Sequence, residues 1–178
     1  MDIDQLKYPV GRLDIENTSS LDLGECILDI KSLPEQIIER TSSLSDEQLA
    51  YTYRPEGWTI RQVVHHLADS HMNAYIRFKL AMTENQPTIK PYLEEKWAEM
   101  NDYSIPLEPS LNILIGVHQR LGTLLDSLSS EDFQRTYTHP EHGKVLNLIQ
   151  TTAMYSWHSK HHCAHIENAL KFKKSTRD

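Results

Sequence analysis

The sequence predicts an all-α protein, a four-helix bundle with long connections after the second and third helices. Four long segments place apolar residues at the three-and-four spacing of an amphipathic helix. The eight prolines fall mostly between these segments, and no stretch of Val, Ile and Thr alternates as a strand would. A chain of 178 residues has the size of one domain. We therefore expect a single domain over residues 1–178, with residues 1–20 as an N-terminal extended arm.

The first predicted helix covers roughly residues 21–42, and Pro34 inside it is expected to kink or split it. After it, Ser45 and Gln48 have the spacing of a capping box, which predicts a short extra turn. The apolar face of this helix contains Leu21, Cys26, Ile27, Ile30, Leu33, Ile37 and Ile38.

The second predicted helix runs from Thr59 to Glu84 and begins with another capping box, formed by Thr59 and Gln62. Residues 85–108 contain three prolines and are expected to form a long connection, with one short helix around Trp97. The apolar stripe of the second helix contains Ile60, Val63, Val64, Leu67, His71, Ala74, Tyr75, Phe78 and Met82.

The third helix is predicted to start at Ser110, and the fourth to run from about Val145 to Phe172. Residues 130–144 between them form the second connection, where His139 and His142 are expected at the surface. The core stripe of the third helix contains Leu111, Leu114, Ile115, His118, Leu121, Leu125 and Leu128.

Charge and hydropathy exclude several classes of function. The formal net charge of −7 argues against binding to nucleic acid, which requires clustered positive charge. The apolar runs are too short to span a membrane, and the acidic start of the chain is unlike a secretory signal. Two cysteines do not make a disulfide framework, which fits a cytoplasmic protein.

Ten histidines are the unusual feature of the composition. His158, His161, His162 and His165 fall within roughly a 100° sector of the fourth helix, on its core-facing side. Four buried imidazoles are costly unless they are satisfied, and a transition metal would satisfy them. His161 and His165 have the i,i+4 spacing of a helical metal site, but so do His158 and His162, and spacing alone does not choose between these pairs.

A third ligand must come from another helix. His66 and His71 of the second helix are nearly equal candidates from their positions on the helix surface. His65 points away from the apolar stripe and is expected to be solvated or at an interface, whereas His118 is expected to be a satisfied core histidine. Cys163 lies across the helix from His161 and is interpreted as structural.

Two blocks of the chain, residues 53–73 (YRPEGWTIRQVVHHLADSHMN) and 75–79 (YIRFK), carry a close resemblance to a known family. The chain resembles the YfiT-type metal-dependent hydrolases of the DinB-like superfamily over nearly its whole length. This resemblance implies a four-helix bundle with one divalent metal ion held by three histidines, which fall on His66, His161 and His165. It also implies a homodimer in the cytoplasm. The agreement extends to Tyr8–Gly11, Tyr92, Trp97, His139–Pro140 and Trp157–His165.

Three histidine ligands leave an ion with open positions, the pattern of a catalytic site. We therefore expect hydrolysis of a small amide or ester substrate by water activated on one Zn²⁺ or Ni²⁺ ion per chain. His158, His162 and His71 are candidates for supporting the ligands or handling protons. The alternatives are a metal-dependent thiol-S-transferase that uses a low-molecular-weight thiol, and a non-enzymatic metal-binding or sensor bundle.

Overall fold

Four long helices form the body of the protein in the computed structural model, which describes residues 3–18, 21–141 and 143–175, with side chains to residue 171. α2 packs against α6 and α7, and α4 packs against the same two helices. α2 and α4 therefore occupy opposite corners of the bundle. In chain order the helices are α1 (Ile3–Lys7), α2 (Leu23–Thr41), α3 (Asp46–Leu49), α4 (Ile60–Thr83), α5 (Glu94–Trp97), α6 (Glu108–Ser127) and α7 (Leu148–Ser175).

The fold class predicted from the sequence is confirmed, with one small addition. The second connection contains an antiparallel hairpin of strands β1 (Thr136–His139) and β2 (Lys144–Asn147). Tyr137 and Leu146 pair across it and are both buried. Each strand has four residues, which is too short to show the alternation expected of a longer strand.

The N-terminal segment is not wholly extended, because α1 forms within the predicted arm. The remainder of the segment lies against α7, where the indole of Trp157 donates a hydrogen bond to the Gly11 carbonyl (3.0 Å). Arg12 lies over the ring of Tyr8 at 3.8 Å from the guanidinium carbon to the ring centroid. None of the described helices is long and apolar enough to cross a membrane.

Both capping boxes predicted from the sequence form, whereas the starts of α2, α6 and α7 differ from the predicted positions by two or three residues. The Thr59 hydroxyl accepts a hydrogen bond from the Gln62 amide (3.1 Å), and the Gln62 side chain accepts one from the Thr59 amide (3.0 Å). This capping box satisfies backbone donors at the start of α4, the helix that carries His66 and His71. The capping box predicted at Ser45 also forms, and α3 follows it.

Pro34 does not split α2, which continues through it. Because proline has no amide proton, the Ile30 carbonyl loses its partner within the helix. The Nδ1 of His118 lies 2.6 Å from that carbonyl oxygen and donates to it from α6. A side chain from a neighbouring helix thus replaces the hydrogen bond that proline removes.

The core is divided into two apolar halves. One half contains Leu33, Ile60 and Ile166, and the other contains Phe78, Leu121 and Leu148. Between them lies a contiguous group of histidine rings, which we call the histidine layer and which consists of His66, His71, His118, His158 and His162. Four of these rings are buried and His158 is half-buried. The centre of this bundle is therefore polar.

Candidate metal centre

Three histidines converge from two helices. His66 of α4 meets His158 and His162 of α7, and one donor nitrogen from each ring lies within 4.8 Å of the other two. The Nε2 atoms of His66 and His158 are 3.2 Å apart. A tetrahedral ion with metal–nitrogen distances of 2.0–2.1 Å requires about 3.3 Å between ligand nitrogens. The separation measured here therefore fits two ligands of one ion.

Burial keeps these three rings neutral. It lowers the pKa of His66 to about 3, with the nearby His161 as a second cause. Burial also lowers the pKa of His158 and of His162 well below the usual histidine value, and the neighbouring histidines add to this effect. Neutral imidazole is the form that binds metal. At neutral pH the three rings therefore carry no positive charge that would oppose an incoming cation.

The tautomer of His162 is determined by a chain of hydrogen bonds from the N-terminal segment. His165 Nε2 lies 3.3 Å from the Lys7 carbonyl oxygen, which can only accept, so His165 carries its proton on Nε2. His165 Nδ1 then accepts from His162 Nδ1, which is 3.3 Å away. His162 is left with an unprotonated Nε2, the atom available for a metal ion.

His71 contacts His158 from the other side, but no carbonyl fixes the proton position of His71, because its Nδ1 is buried without a hydrogen-bond partner among the described residues. His71 Nε2 lies 3.2 Å from His158 Nδ1, so a proton on His158 Nδ1 leaves the His158 Nε2 lone pair directed toward His66. His71 is fully buried and stacks on His118, with 4.8 Å between the ring centroids. The Nδ1 of His66 is buried without a hydrogen-bond partner among the described residues. Two unprotonated Nε2 atoms at 3.2 Å repel each other unless a proton or a cation lies between them.

The structure gathers a different trio from the one implied by the resemblance. Of His66, His161 and His165, it places only His66 in the cluster, together with His158 and His162. His161 stacks on Trp157, with 4.4 Å between ring centroids, and also packs edge-on against His165 at 4.1 Å and against His162 at 5.0 Å, so the implied pair lies directly beside the cluster. The two i,i+4 pairs are offset by three residues, which rotates one pair from the other by about 60° around the helix axis.

The second member of the implied pair also has a different environment. His165 stacks on Tyr53, with 3.7 Å between ring centroids, and its nitrogens contact Lys7 and His162. It supports a member of the cluster and does not enter it. His158 and His162, expected from the sequence to support the ligands, form the cluster with His66, and His71 Nε2 lies 3.2 Å from His158 Nδ1.

The structure corrects the expectation for two of the remaining histidines, His65 and His139, and the second of these lines the cavity described below. His65 is buried, not solvated: its Nε2 donates to the Ile105 carbonyl (3.3 Å), and its Nδ1 accepts from the Ser110 hydroxyl (2.7 Å). His139 is buried, not at the surface, and His142 lies outside the described residues. The expectation that His118 is a satisfied core histidine is confirmed by its bond to Ile30.

A cavity of about 710 Å³ lies beside the cluster, and His158 forms part of its wall. Arg77, Tyr92, Tyr155 and Ser70 also line it. Sequence reasoning did not select these four residues as functional. Arg77 carried the one available signal, since it is a charged residue next to the apolar stripe of α4.

The sequence is similar to that of known proteins over most of its length. Residues 30–166 match the model of the DinB superfamily. A protein of Oceanobacillus iheyensis named "Putative metal-dependent hydrolase" is 46% identical over 168 residues, which cover 94% of this chain and 97% of that protein. A protein of the same name from Bacillus cereus strain 03BB102 is 45% identical over 170 residues, covering 95% and 98%.

Solved structures extend the likeness to the fold. YfiT from Bacillus subtilis, described as a probable metal-dependent hydrolase with an unusual four-helix bundle topology, superposes with a TM-score of 0.89 at 38% identity. That match covers 95% of this chain and 98% of YfiT. The mycothiol-dependent maleylpyruvate isomerase superposes with a TM-score of 0.67 at 14% identity, covering 84% of this chain and 62% of the isomerase. The isomerase shares the fold alone.

Proposed function

This chain belongs to the DinB superfamily, and on that premise we propose that it is a metal-dependent hydrolase whose ion is held by His66, His158 and His162. The convergence of three neutral imidazoles beside a cavity carries this proposal. The donor set contains nitrogen alone, which suits Zn²⁺ and Ni²⁺ better than Mg²⁺ or Ca²⁺. The likeness to relatives that share the name of metal-dependent hydrolase supports it.

Three protein ligands leave room for water and substrate, and a bound divalent ion supplies activated water and polarises a carbonyl group. The protein's own groups prepare the site. His165 holds His162 in the tautomer that presents an unprotonated Nε2 atom. His71 Nε2 lies 3.2 Å from His158 Nδ1, so it can accept the Nδ1 proton of His158 when the Nε2 of His158 binds an ion. Tyr155 packs its ring edge against His71 and so fixes the position of that ring. The ligand geometry is thus held by packing before any ion arrives.

The size of the cavity supports a small-molecule substrate. A volume of about 710 Å³ lies within the range of small-molecule sites. The half-buried ring of His158 is the member of the trio that lines the cavity wall, so a substrate in the cavity reaches the ion from this side. A small amide or ester fits this space.

Metal binding tests the ligand set directly. Metal-free wild-type protein and the variants His158→Ala, His162→Ala and His161→Ala are titrated with Zn²⁺ and with Ni²⁺ by calorimetry. We expect the first two variants to lose more than about 100-fold in affinity, which exceeds the effect of removing a supporting residue. His161→Ala is the matched control and keeps one ion per chain. Loss of the ion in His161→Ala but not in His158→Ala would instead support the ligands implied by the resemblance.

Turnover tests the reaction. Metal-loaded protein is assayed with a panel of small esters and amides, with and without a low-molecular-weight thiol. We expect hydrolysis without thiol that His162→Ala abolishes. Turnover that strictly requires thiol would support the transferase alternative, and no turnover under either condition would support a non-enzymatic bundle. The homodimer and the cytoplasmic location expected from the resemblance stay predictions.

A further inference from the structure

The cavity beside the histidine cluster contains a buried cation that the proposed chemistry does not use. Arg77 is 8% exposed, and its guanidinium remains protonated at any physiological pH. None of the ion pairs in the described part of the chain includes it. Its Nε is buried and has no hydrogen-bond partner among the described residues. A buried charge in this state is expensive unless something else balances it.

Tyr155 holds the guanidinium in place. Arg77 Nη1 donates to the Tyr155 hydroxyl oxygen (3.1 Å), and that hydroxyl donates in turn to the Ser70 carbonyl (3.4 Å). Tyr155 also contacts the rings of His71 and His158 edge-on. Tyr155 therefore contacts both the Arg77 guanidinium and the proposed ligand His158, and all three side chains lie on the wall of the same cavity.

The other charged side chains on the cavity wall are two cations, Arg12 and Lys144, and two carboxylates, Glu94 and Glu141. Arg12 and Lys144 also line the cavity, but they form ion pairs with Asp4 (2.9 Å) and Glu16 (2.6 Å). Arg77 interacts electrostatically with Glu94. Burial raises the pKa of the Glu94 carboxyl group, and the positive charge of Arg77 opposes that rise. Neither Glu94 nor Glu141 forms an ion pair with Arg77 among the described contacts, so the guanidinium stays available to a ligand.

The rest of the cavity wall is suited to an apolar body with one polar end. Leu146, Met154 and Trp157 contribute apolar surface. The Tyr92 hydroxyl is buried on the same wall without a hydrogen-bond partner among the described residues. One unpaired cation and one unpaired hydroxyl therefore face a largely apolar space. This combination matches a single negative charge with two oxygen acceptors on an apolar group.

We propose that the cavity binds substrates that carry a carboxylate, which Arg77 holds while the hydrolysable acyl group lies at the histidine cluster. A carboxylate has one charge and accepts two parallel hydrogen bonds from a guanidinium, and it fits the one unpaired cation better than a doubly charged phosphate. This inference rests on the proposed function for the reaction, but the anion site itself exists without the ion.

The test uses metal-free protein, so that it does not depend on catalysis. Binding of acetate, butyrate, benzoate and N-benzoylglycine is compared by calorimetry with binding of the corresponding neutral amides. We expect wild-type protein to prefer at least one acid over its amide by about 10-fold or more. Arg77→Met should abolish the preference, and Arg77→Lys, which keeps a cation without the planar fork, should retain only part of it.

Arg120→Met is the matched control, because Arg120 is an exposed arginine of α6 and its loss changes the net charge equally. We expect this variant to keep the wild-type preference. No preference in any acid–amide pair, an undiminished preference in Arg77→Met, or tighter binding of inorganic phosphate than of every carboxylate would overturn the proposal. Arg77→Lys serves as the test if Arg77→Met does not fold, because a lysine preserves the buried charge.

The two proposals fail separately. An Arg77-dependent preference in protein that hydrolyses nothing after metal loading would retain the anion site and reject the hydrolase. Hydrolysis of neutral and acidic esters with equal KM, in wild type and in Arg77→Met alike, would retain the hydrolase and reject the carboxylate site.

Discussion

His118 links the stability of the bundle to pH. Burial lowers its pKa from 6.5 to about 4, so between these values the unfolded chain binds a proton that the folded chain does not. Unfolding is therefore favoured as the pH falls, and stability is greatest above pH 6.5. From pH 6.5 to pH 5 this one residue removes about 2 kcal/mol from the free energy of unfolding, at about 1.4 kcal/mol per pH unit.

His118→Asn isolates this contribution. An asparagine amide replaces Nδ1 as the donor to the Ile30 carbonyl but does not titrate. The variant loses the ring and is less stable than wild type at pH 7.5. At pH 5 we expect that difference in unfolding free energy to shrink by about 2 kcal/mol. Urea denaturation of both metal-free proteins at the two pH values gives the four free energies.

Leu121→Val is the matched control, since it removes buried apolar volume one turn further along α6 without a titratable group. Its difference from wild type should be the same at pH 7.5 and pH 5. If the difference for His118→Asn is likewise constant, the ring of His118 is not kept neutral by the fold, and the reasoning about the histidine layer is wrong.

Two further predictions concern the elements that position the cluster. His165→Ala should weaken Zn²⁺ binding by about 10- to 100-fold, because His162 loses its hydrogen-bond partner. His165→Asn should bind Zn²⁺ more nearly as wild type does, because the asparagine amide oxygen still accepts from His162 Nδ1. Equal affinities of all three proteins in calorimetry would show that His165 plays no part in the site. Thr59→Ala should lower the free energy of unfolding by about 1 kcal/mol, because α4 loses its N-terminal cap. Thr59→Ser, which keeps the hydroxyl, should have the wild-type free energy of unfolding in urea denaturation. Equal stability of all three proteins would show that the cap contributes nothing.

The sequence predicted those parts of the fold that depend on local interactions. The capping box at Thr59 and Gln62 involves residues three apart, so its signal is fully contained in the sequence. The continuity of α2 through Pro34 was not predictable in this way, because it depends on a hydrogen bond from His118, on another helix. The hairpin was missed for a similar reason: the burial of Tyr137 is a tertiary effect.

The candidate site shows the same division between local and tertiary information. Periodicity detects that α7 carries histidines on its core side, but both i,i+4 pairs lie within that side. The surroundings of the two pairs differ: α4 presents His66 to the pair His158 and His162, while Tyr53 and the Lys7 carbonyl contact His165. Every residue has a backbone carbonyl group, so a pattern of side chains does not show which carbonyl makes a contact. The Lys7 carbonyl nevertheless fixes the proton on His165, and through it the nitrogen that His162 presents, so the proposed choice of ligand pair depends on contacts that residue types do not reveal.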